Sequence, residues 1–296
     1  MRKGLLAAGV AAVAVLAAGC SSSSPTASGG SSGDVVLRLG FLANITHEPP
    51  LVGLEKGFFA KNLGKHVTLK TTVFSSGTEE TTAILAGQLD AAYVGPNPAI
   101  NAWQKSNGTA IKIISGAASG GASLVVKPGI TSAAVLEFKS GQINGGWEPE
   151  PYATEMVLDG GTRLVNEASL WPGGKFVTTN LVVTQSFLKD HASVVNGLLK
   201  GQIEANDYIN ANGQAAAQAA NTELTELLGK GLDANILTKS LTYLTFTNDP
   251  IASTLKTDAQ HAVAVGLLKP VNLNGIYDLG PLNKLLKAAG EPQVSS

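Results

Sequence analysis

One short phrase occurs twice in this chain of 296 residues, and it constrains the fold more than any other feature. Residues Gly87–Pro98 read GQLDAAYVGPNP, and residues Gly141–Pro151 read GQINGGWEPEP. We interpret each copy as the end of a helix, a short strand and a stiff Pro-x-Pro loop. A unit used twice predicts two similar lobes that each present such a loop. Two facing lobes form a cleft, and clefts are where small ligands bind.

The first twenty residues have the pattern of an export signal. Two basic residues precede an apolar stretch, Leu5–Ala18, that is short for a membrane span. The chain's single cysteine, Cys20, follows Ala-Ala-Gly, a context that resembles a bacterial lipobox, in which the cysteine is acylated. An ordinary secretory signal that contains a cysteine is the alternative. We predict a lipoprotein signal peptide at 1–20 and a Ser/Gly tether at 21–33, a composition that buries too little apolar surface to fold.

Composition and missing motifs exclude several functional classes. A lone cysteine permits no internal disulfide, and the four histidines have no ligand spacing, so we expect no metal site and no cofactor. The chain carries 21 basic and 22 acidic residues without a basic stripe, which argues against a nucleic-acid partner. Ser186-x-x-Lys189 has the spacing of a serine acyl-enzyme motif but lacks its companion motifs. We therefore expect no catalytic residues and no enzyme activity.

Apolar periodicity after Asp34 predicts a parallel sheet covered by helices, because strands and helices alternate. The predicted strands are Val35–Leu42, Val67–Phe74, Ala91–Val94 and Ile111–Gly116, and the helices between them are Pro49–Lys61, Glu79–Ala86 and Ala99–Ser106. Ligands of such sheets bind outside the carboxyl ends of the strands. Those ends here are residues 43–47, 75–78, 95–98 and 117–121.

The second half of the chain is predicted to be mainly helical. Two similar apolar runs, Ser123–Lys127 and Asn180–Thr184, are interpreted as strands that cross between the lobes. Further strands of the second lobe are expected at Ile143–Trp147 and Arg163–Asn166. Helices are then predicted at Phe187–Asn206, Gly213–Leu228, Asn235–Leu244, Ile251–Leu267 and Leu282–Ala289.

Four motifs together resemble a known family. They are NITHEPPLVGLEKGFF at Asn44–Phe59, the first copy of the repeated phrase, WPGGKFV at Trp171–Val177 and FTNDP at Phe246–Pro250. They are similar to the nitrate/sulfonate/taurine class of ABC-transporter substrate-binding proteins. The resemblance implies an α/β, two-lobed, periplasmic-binding-protein-like fold of type II. It also implies a monomer that closes on a small solute, docks on an ABC permease and works outside the cytoplasm, anchored to the cell membrane through lipidated Cys20.

The second lobe departs from this family pattern. The first lobe uses about fifty residues, Val35–Ala86, before its Gly-Gln phrase, whereas the second has only the thirteen residues Pro128–Ser140. A βαβ unit needs about 30 residues. Relatives carry a strand, a Gly-rich ligand loop and a helix in this interval, so we expect a truncated lobe 2; a lobe that was always small is the alternative. Lobe 1 is assigned to 34–125 and 206–296, and lobe 2 to 126–205.

The strongest candidate for ligand contact is Ser75-Ser76-Gly77-Thr78, just before the helix that starts at Glu79. The N–H groups and dipole at a helix N-terminus favour small oxyanions. Ser76-x-x-Glu79 is also a capping box, a purely structural device. Glu79 and Glu80 would compete with an anion unless they point away or the ligand also carries an amine.

The other candidates lie at neighbouring strand ends and in the second lobe. Thr46 and His47 follow the first strand, and His47 could donate to an oxyanion or be a plain loop histidine. The remaining candidates are Gly95 and Asn97 in the Pro-x-Pro loop, Ser119 and Gly120 after the fourth strand, and Trp147 as a wall for an alkyl chain. No lysine or arginine lies in these loops, so any anion would depend on neutral donors.

Three functions remain open from the sequence. The first is capture of a small sulfonate-, taurine- or nitrate-like solute for an importer. The second is a degenerate lipoprotein that keeps the fold but binds weakly or not at all. The third is binding or synthesis of a pyrimidine or thiamine precursor, because an enzyme of thiamine-precursor synthesis shares this fold and fold alone does not exclude catalysis.

Overall fold

The computed structural model describes residues 34–127 and 144–296. The predicted signal peptide, tether and lipidation site lie outside the described residues, as do Pro128–Ser140 and the start of the second phrase. The strands are β1 (Val35–Leu42), β2 (Val67–Phe74), β3 (Ala91–Val94), β4 (Ile111–Gly120), β5 (Ala122–Val126), β6 (Gly145–Pro149), β7 (Thr162–Asn166), β8 (Val177–Thr184) and β9 (Leu244–Phe246).

Eleven α-helices connect or cover these strands within the described residues. They are α1 (Glu48–Glu55), α2 (Phe58–Leu63), α3 (Gly77–Leu85), α4 (Pro96–Lys105), α5 (Tyr152–Leu158), α6 (Gln185–Asp190), α7 (Ala192–Ala211), α8 (Gly213–Leu228), α9 (Ala234–Leu241), α10 (Ala252–Ala264) and α11 (Gly280–Ala289). The predicted helix Pro49–Lys61 is split into α1 and α2, because Gly57 adopts a left-handed conformation with φ 69°. The later helices agree with the predictions to within a few residues, except that α6 and α7 divide the one expected at 187–206.

The larger sheet has six strands in the order β2-β1-β3-β8-β4-β9. Strand β1 pairs in parallel with β2 and β3, which confirms the predicted parallel arrangement for this half. The expectation of a wholly parallel sheet is wrong, because β8 lies antiparallel between β3 and β4. Strand β8 is buried along nearly its whole length, and a strand that is buried on both faces belongs in the centre of a covered sheet.

The smaller sheet is antiparallel, in the order β6-β5-β7, and α5 packs on it. The chain enters it from β4 through Gly120 and Gly121, whose φ values are 82° and 76°. It returns to the large sheet at Phe176. The two runs expected to cross between lobes therefore separate, since Ser123–Lys127 contributes to the small sheet and Asn180–Thr184 to the large one.

The predicted lobe boundary at residue 205 also needs correction. Helix α7 packs against α1, α2 and β4, and its apolar side chains share a core with β1. Residues 177–205 therefore belong with the large sheet, and the small lobe ends near Phe176. The sequence did not show this because an amphipathic helix carries no mark of which sheet it covers.

The repeated phrase has equivalent structures in its two copies. Strand β3 leads through Gly95 into α4, and β6 leads through Glu150 and Pro151 into α5. Both helices begin beside prolines of the phrase. Each copy thus contains a strand followed by a helix within the described residues. The stiff loop predicted for the first copy is wrong, because Pro96, Asn97 and Pro98 form the first turn of α4.

Candidate functional site

The carboxyl ends of β1, β2 and β3 converge on one edge of the large sheet. Thr179 Oγ1 on β8 donates to the carbonyl of Thr46 at 3.0 Å, and His47 Nε2 lies 3.1 Å from the carbonyl of Tyr93. A Cβ on Gly77 would come within 2.7 Å of the Pro98 ring, so the start of α3 touches the first turn of α4. The structure thus brings together most of the predicted lobe 1 candidates: Thr46, His47, Ser75, Ser76, Gly77, Thr78, Gly95 and Asn97. We call these eight residues the rim.

The start of α3 combines a structural cap with free donors. Ser76 Oγ accepts from the Glu79 amide at 3.3 Å and caps the helix, and Glu79 Oε2 accepts from the Ser75 amide at 3.1 Å, one residue before the cap. The amides of Gly77 and Thr78 precede the first intrahelical bonds and have no acceptor in the described part of the chain. The α3 N-terminus therefore keeps two donors and a partial positive charge for an anion.

The turn that carries Thr46 and His47 is almost completely buried. Thr46 donates its hydroxyl hydrogen to Asn44 Oδ1 at 2.6 Å, and the His47 ring stands against Asn44 and the Tyr93 carbonyl. Burial lowers the pKa of His47 to about 4, so the ring is neutral at pH 7 and has one N–H. That N–H either donates from Nε2 to the Tyr93 carbonyl or from Nδ1 to Asn44 Oδ1, and both acceptors belong to the protein. His47 thus positions the rim here, and the donation to an oxyanion that we predicted is not the arrangement seen.

Ser119 and Gly120 lie at the crossing between the two sheets. The Gly120 amide donates to the Phe176 carbonyl at 3.3 Å, and its own carbonyl accepts from the Thr178 hydroxyl. A Cβ on Gly120 would stand 2.5 Å from the Tyr243 carbonyl. Gly120 is therefore required by the backbone path, and its polar groups are used within the protein. Ser119 is buried in β4 and pairs with Val177 and Thr245.

Trp147 lies on the small sheet with 47% of its surface exposed. Its indole N–H donates to Glu167 Oε2 at 2.7 Å, and the indole of Trp171 donates to Glu167 Oε1 at 3.2 Å. Trp171 stacks on Phe176 and lies 6.1 Å from the His261 ring of α10. The described contacts join Trp147 to this aromatic group around Glu167 and not to the rim.

Comparison with known proteins identifies the family. A sequence model of the NMT1-like family matches residues 30–135 and 121–225, which together cover more than half of the chain. The chain belongs to the NMT1-like family. No curated protein matches this NMT1-like chain closely enough to count as a relative.

Solved structures share the fold of this NMT1-like protein at low sequence identity. The nitrate-binding protein NrtA from Synechocystis PCC 6803 has a TM-score of 0.71 and 12% identity over 87% of this chain and 90% of its own. The alkanesulfonate-binding protein SsuA from Xanthomonas axonopodis pv. citri, bound to MOPS, has a TM-score of 0.66 and 12% identity over 81% and 96%. A mutant of DSZB in complex with biphenyl-2-sulfinic acid has a TM-score of 0.61 and 14% identity over 86% and 99%.

These findings confirm the predicted resemblance and fold class. The NMT1-like chain has the two-lobed α/β fold of periplasmic binding proteins. Among the described residues, no helix is long and apolar enough to cross a bilayer, and no group of three His, Cys, Asp or Glu side chains is placed to hold a metal ion.

Asn180 is a candidate of this NMT1-like site that the sequence analysis missed. It lies on β8 directly opposite Val94, so the two side chains share a face of the sheet, and Val94 in turn lies near Gly77. Its side chain is buried, and neither amide atom has a hydrogen-bond partner within the described residues. A buried polar group is normally satisfied. The available signal was a lone amide directly before the apolar residues Leu181–Val183 of β8.

Proposed function

We propose that the chain is the extracytoplasmic solute-binding component of an ABC importer, which captures a small sulfonate-, taurine- or nitrate-like solute and delivers it to a permease. The observation that carries the proposal is the edge of the large sheet at the rim, where the start of α3, with the free amides of Gly77 and Thr78, and the unpartnered Asn180 amide on β8 both lie beside Val94. These are neutral donors at a helix N-terminus, the kind of group that holds a small oxyanion without a lysine or arginine.

The relatives support the same ligand class. The proteins NrtA and SsuA are described as binding nitrate and alkanesulfonate, and DSZB as holding a sulfinic acid. Nitrate, sulfonate and sulfinate are all small oxyanions, and solute capture needs no chemical change. We therefore propose binding without turnover; appearance of a product by chromatography would move the protein to the enzyme class.

We expect a truncated second lobe to bind its solute more weakly than the complete lobe of a relative. The family match comes as two segments that overlap at 121–135, which fits an interruption at the interval where elements are expected to be missing. A solute held mainly by the rim would keep much of its surface in water. The degenerate lipoprotein is therefore the second candidate, and it predicts no measurable binding of any of these solutes.

Replacing Thr78 with proline should weaken solute binding by about 1–3 kcal/mol, the cost of losing a buried hydrogen bond. Proline removes the free amide donor but is tolerated in the first turn of a helix. Isothermal titration with ethanesulfonate, taurine and nitrate measures the change, and far-UV circular dichroism checks that α3 persists.

Thr78→Ala is the matched control, because alanine keeps the backbone donor. Asn180→Leu should weaken binding as Thr78→Pro does. Equal affinities of the Thr78→Pro variant and the wild type would remove the α3 N-terminus from the site. A failure of all three solutes to bind the wild type would favour the degenerate protein.

Changing Cys20 to alanine should leave an uncleaved or mislocalised precursor, since we propose that Cys20 is the acylated N-terminus of the mature protein. Fractionation and mass spectrometry of the wild type and variant test this. The anchor proposal fails if the wild type carries no lipid and the variant is still retained at the membrane.

A further inference from the structure

Glu48 is a buried carboxyl group, and it opens into a cavity that shares no lining residue with the rim. It is the first residue of α1, its side chain is 1% exposed, and neither oxygen has a hydrogen-bond partner within the described residues. The cavity has a volume of about 710 Å³, within the usual range for small-molecule sites. It lies among α7, α8, α9 and β9, and none of the rim residues lines it.

The walls of this cavity combine apolar surface with uncharged polar groups. The apolar part comes from Ile209, Leu237, Leu241, Leu244 and Phe246, and the polar part from Asn210, Gln214, Gln218, Thr238 and Thr245. Glu48 is the one titratable residue among the lining residues. A cavity with a single unpaired acid, several amides and hydrocarbon walls fits an organic cation better than a metal ion, which would need several charged oxygen ligands.

We propose that this cavity binds a small organic ammonium ion, whose charge pairs with the Glu48 carboxylate and whose hydrocarbon part packs against the apolar walls. The amide oxygens of Asn210, Gln214 and Gln218 can accept the remaining N–H groups of the ion. The site has no lining residue in common with the rim and does not depend on the solute proposed there.

The empty and occupied cavity should differ in the protonation of Glu48. Burial raises the pKa of Glu48 to about 8, so the empty cavity holds a neutral acid at pH 7. None of the other charged residues on the helices packed around α1 and its preceding turn lines the cavity. These residues are Lys61, Lys200, Glu204, Asp207, Glu223, Glu226 and Lys239. His47 in that turn is neutral at pH 7. Binding of an ammonium ion therefore releases a proton from Glu48.

The direct test titrates the full-length protein with 2-phenylethylammonium and, separately, with its neutral analogue 2-phenylethanol. Because Glu48 must ionise, the apparent association constant of the ammonium ion should rise about tenfold per pH unit from pH 6 to pH 7 and level off above about pH 8. Glu48→Gln should weaken ammonium binding at least tenfold at pH 8.5 and abolish the pH dependence, while 2-phenylethanol binding stays the same.

Glu55→Gln, at the other end of α1 and outside the cavity, is the matched control and should bind the ammonium ion like the wild type. Ethanesulfonate at saturating concentration should not compete, which separates this site from the rim. Ammonium binding that is unchanged in Glu48→Gln, or absent at millimolar concentration at pH 8.5, would overturn the proposal. Tighter binding at low pH would also overturn it, because it would show a protonated Glu48 donating to an acceptor.

Discussion

Replacing Arg163 with methionine is expected to destabilise the protein by about 3–5 kcal/mol, because it leaves a buried carboxylate without its cation. Arg163 Nη2 donates to Glu150 Oε1 at 2.8 Å, and Glu150 is completely buried. The guanidinium also donates to the Ser123 hydroxyl and lies 3.8 Å from the centroid of the Tyr243 ring. One side chain thus ties β5, β7 and the start of α5 to the segment before β9.

Urea unfolding of the single and double variants measures this effect. Arg163→Met combined with Glu150→Gln should recover a large part of the loss, since the uncompensated charge is gone and only packing and hydrogen bonds are missing. Lys61→Met is the matched control: the Lys61–Glu204 pair has a similar separation of 3.0 Å but is exposed, so its loss should cost less than about 1 kcal/mol. Equal losses for Arg163→Met and Lys61→Met would refute the argument.

The loss of stability caused by Arg163→Met should be concentrated in the small lobe. Strands β5, β6 and β7 with α5 bury little apolar area, and small folding units are marginal for that reason. Amide hydrogen exchange of Arg163→Met should therefore accelerate in these strands more than in β1–β4. In the wild type we expect the same segment to open at a lower free energy than the large sheet. Uniform protection of both lobes, with micromolar or tighter solute binding, would show the short lobe to be complete.

The sequence predicted the local elements better than their partners. The bounds of β1, β2 and β3 agree with the structure because their apolar and polar residues follow clear patterns between turns. The place of β8 could not be predicted, since an apolar strand looks the same in the centre of either sheet. Strand β9 was missed because three residues are too short to show a period.

In the candidate site, too, the positions of residues along the chain were predicted better than the contacts of their side chains. The rule that ligand loops follow parallel strands placed Thr46, Gly77 and Gly95 on one edge of the sheet. It did not show where each side chain points, so His47 was predicted to face a solute although its ring is held by protein acceptors. The burial of Glu150 could not be predicted either, because it depends on an ion pair with Arg163, thirteen residues away. Pairings of this kind are set by tertiary packing and not by local pattern.

Replacing Glu80 with glutamine should stabilise the protein by about 3 kcal/mol at pH 7, the second large effect expected from the structure. Glu80 lies on the buried face of α3 with Ala83 and Ile84, and its carboxyl group stands over Gly40 of β1 without a hydrogen-bond partner in the described part of the chain. Burial raises its pKa to about 9. At pH 7 the folded protein must therefore hold a proton that the unfolded chain has released, and this costs stability.

The stabilisation by Glu80→Gln should depend on pH, and urea unfolding at several pH values can measure this dependence. The pKa of Glu80 is higher in the folded protein than its unfolded value of about 4.5. The contribution of Glu80 to the free energy of unfolding is therefore fully present below pH 4.5 and is lost as the pH rises towards 9. The advantage of Glu80→Gln should thus be near zero at pH 4, grow through pH 7 and level off above pH 9. The neighbouring Glu79→Gln is the control, and it should destabilise slightly, by about 0.3–1 kcal/mol, because it removes a negative charge from the exposed start of α3. A stability gain that does not change with pH would mean that packing, and not ionisation of a buried acid, sets the effect of Glu80.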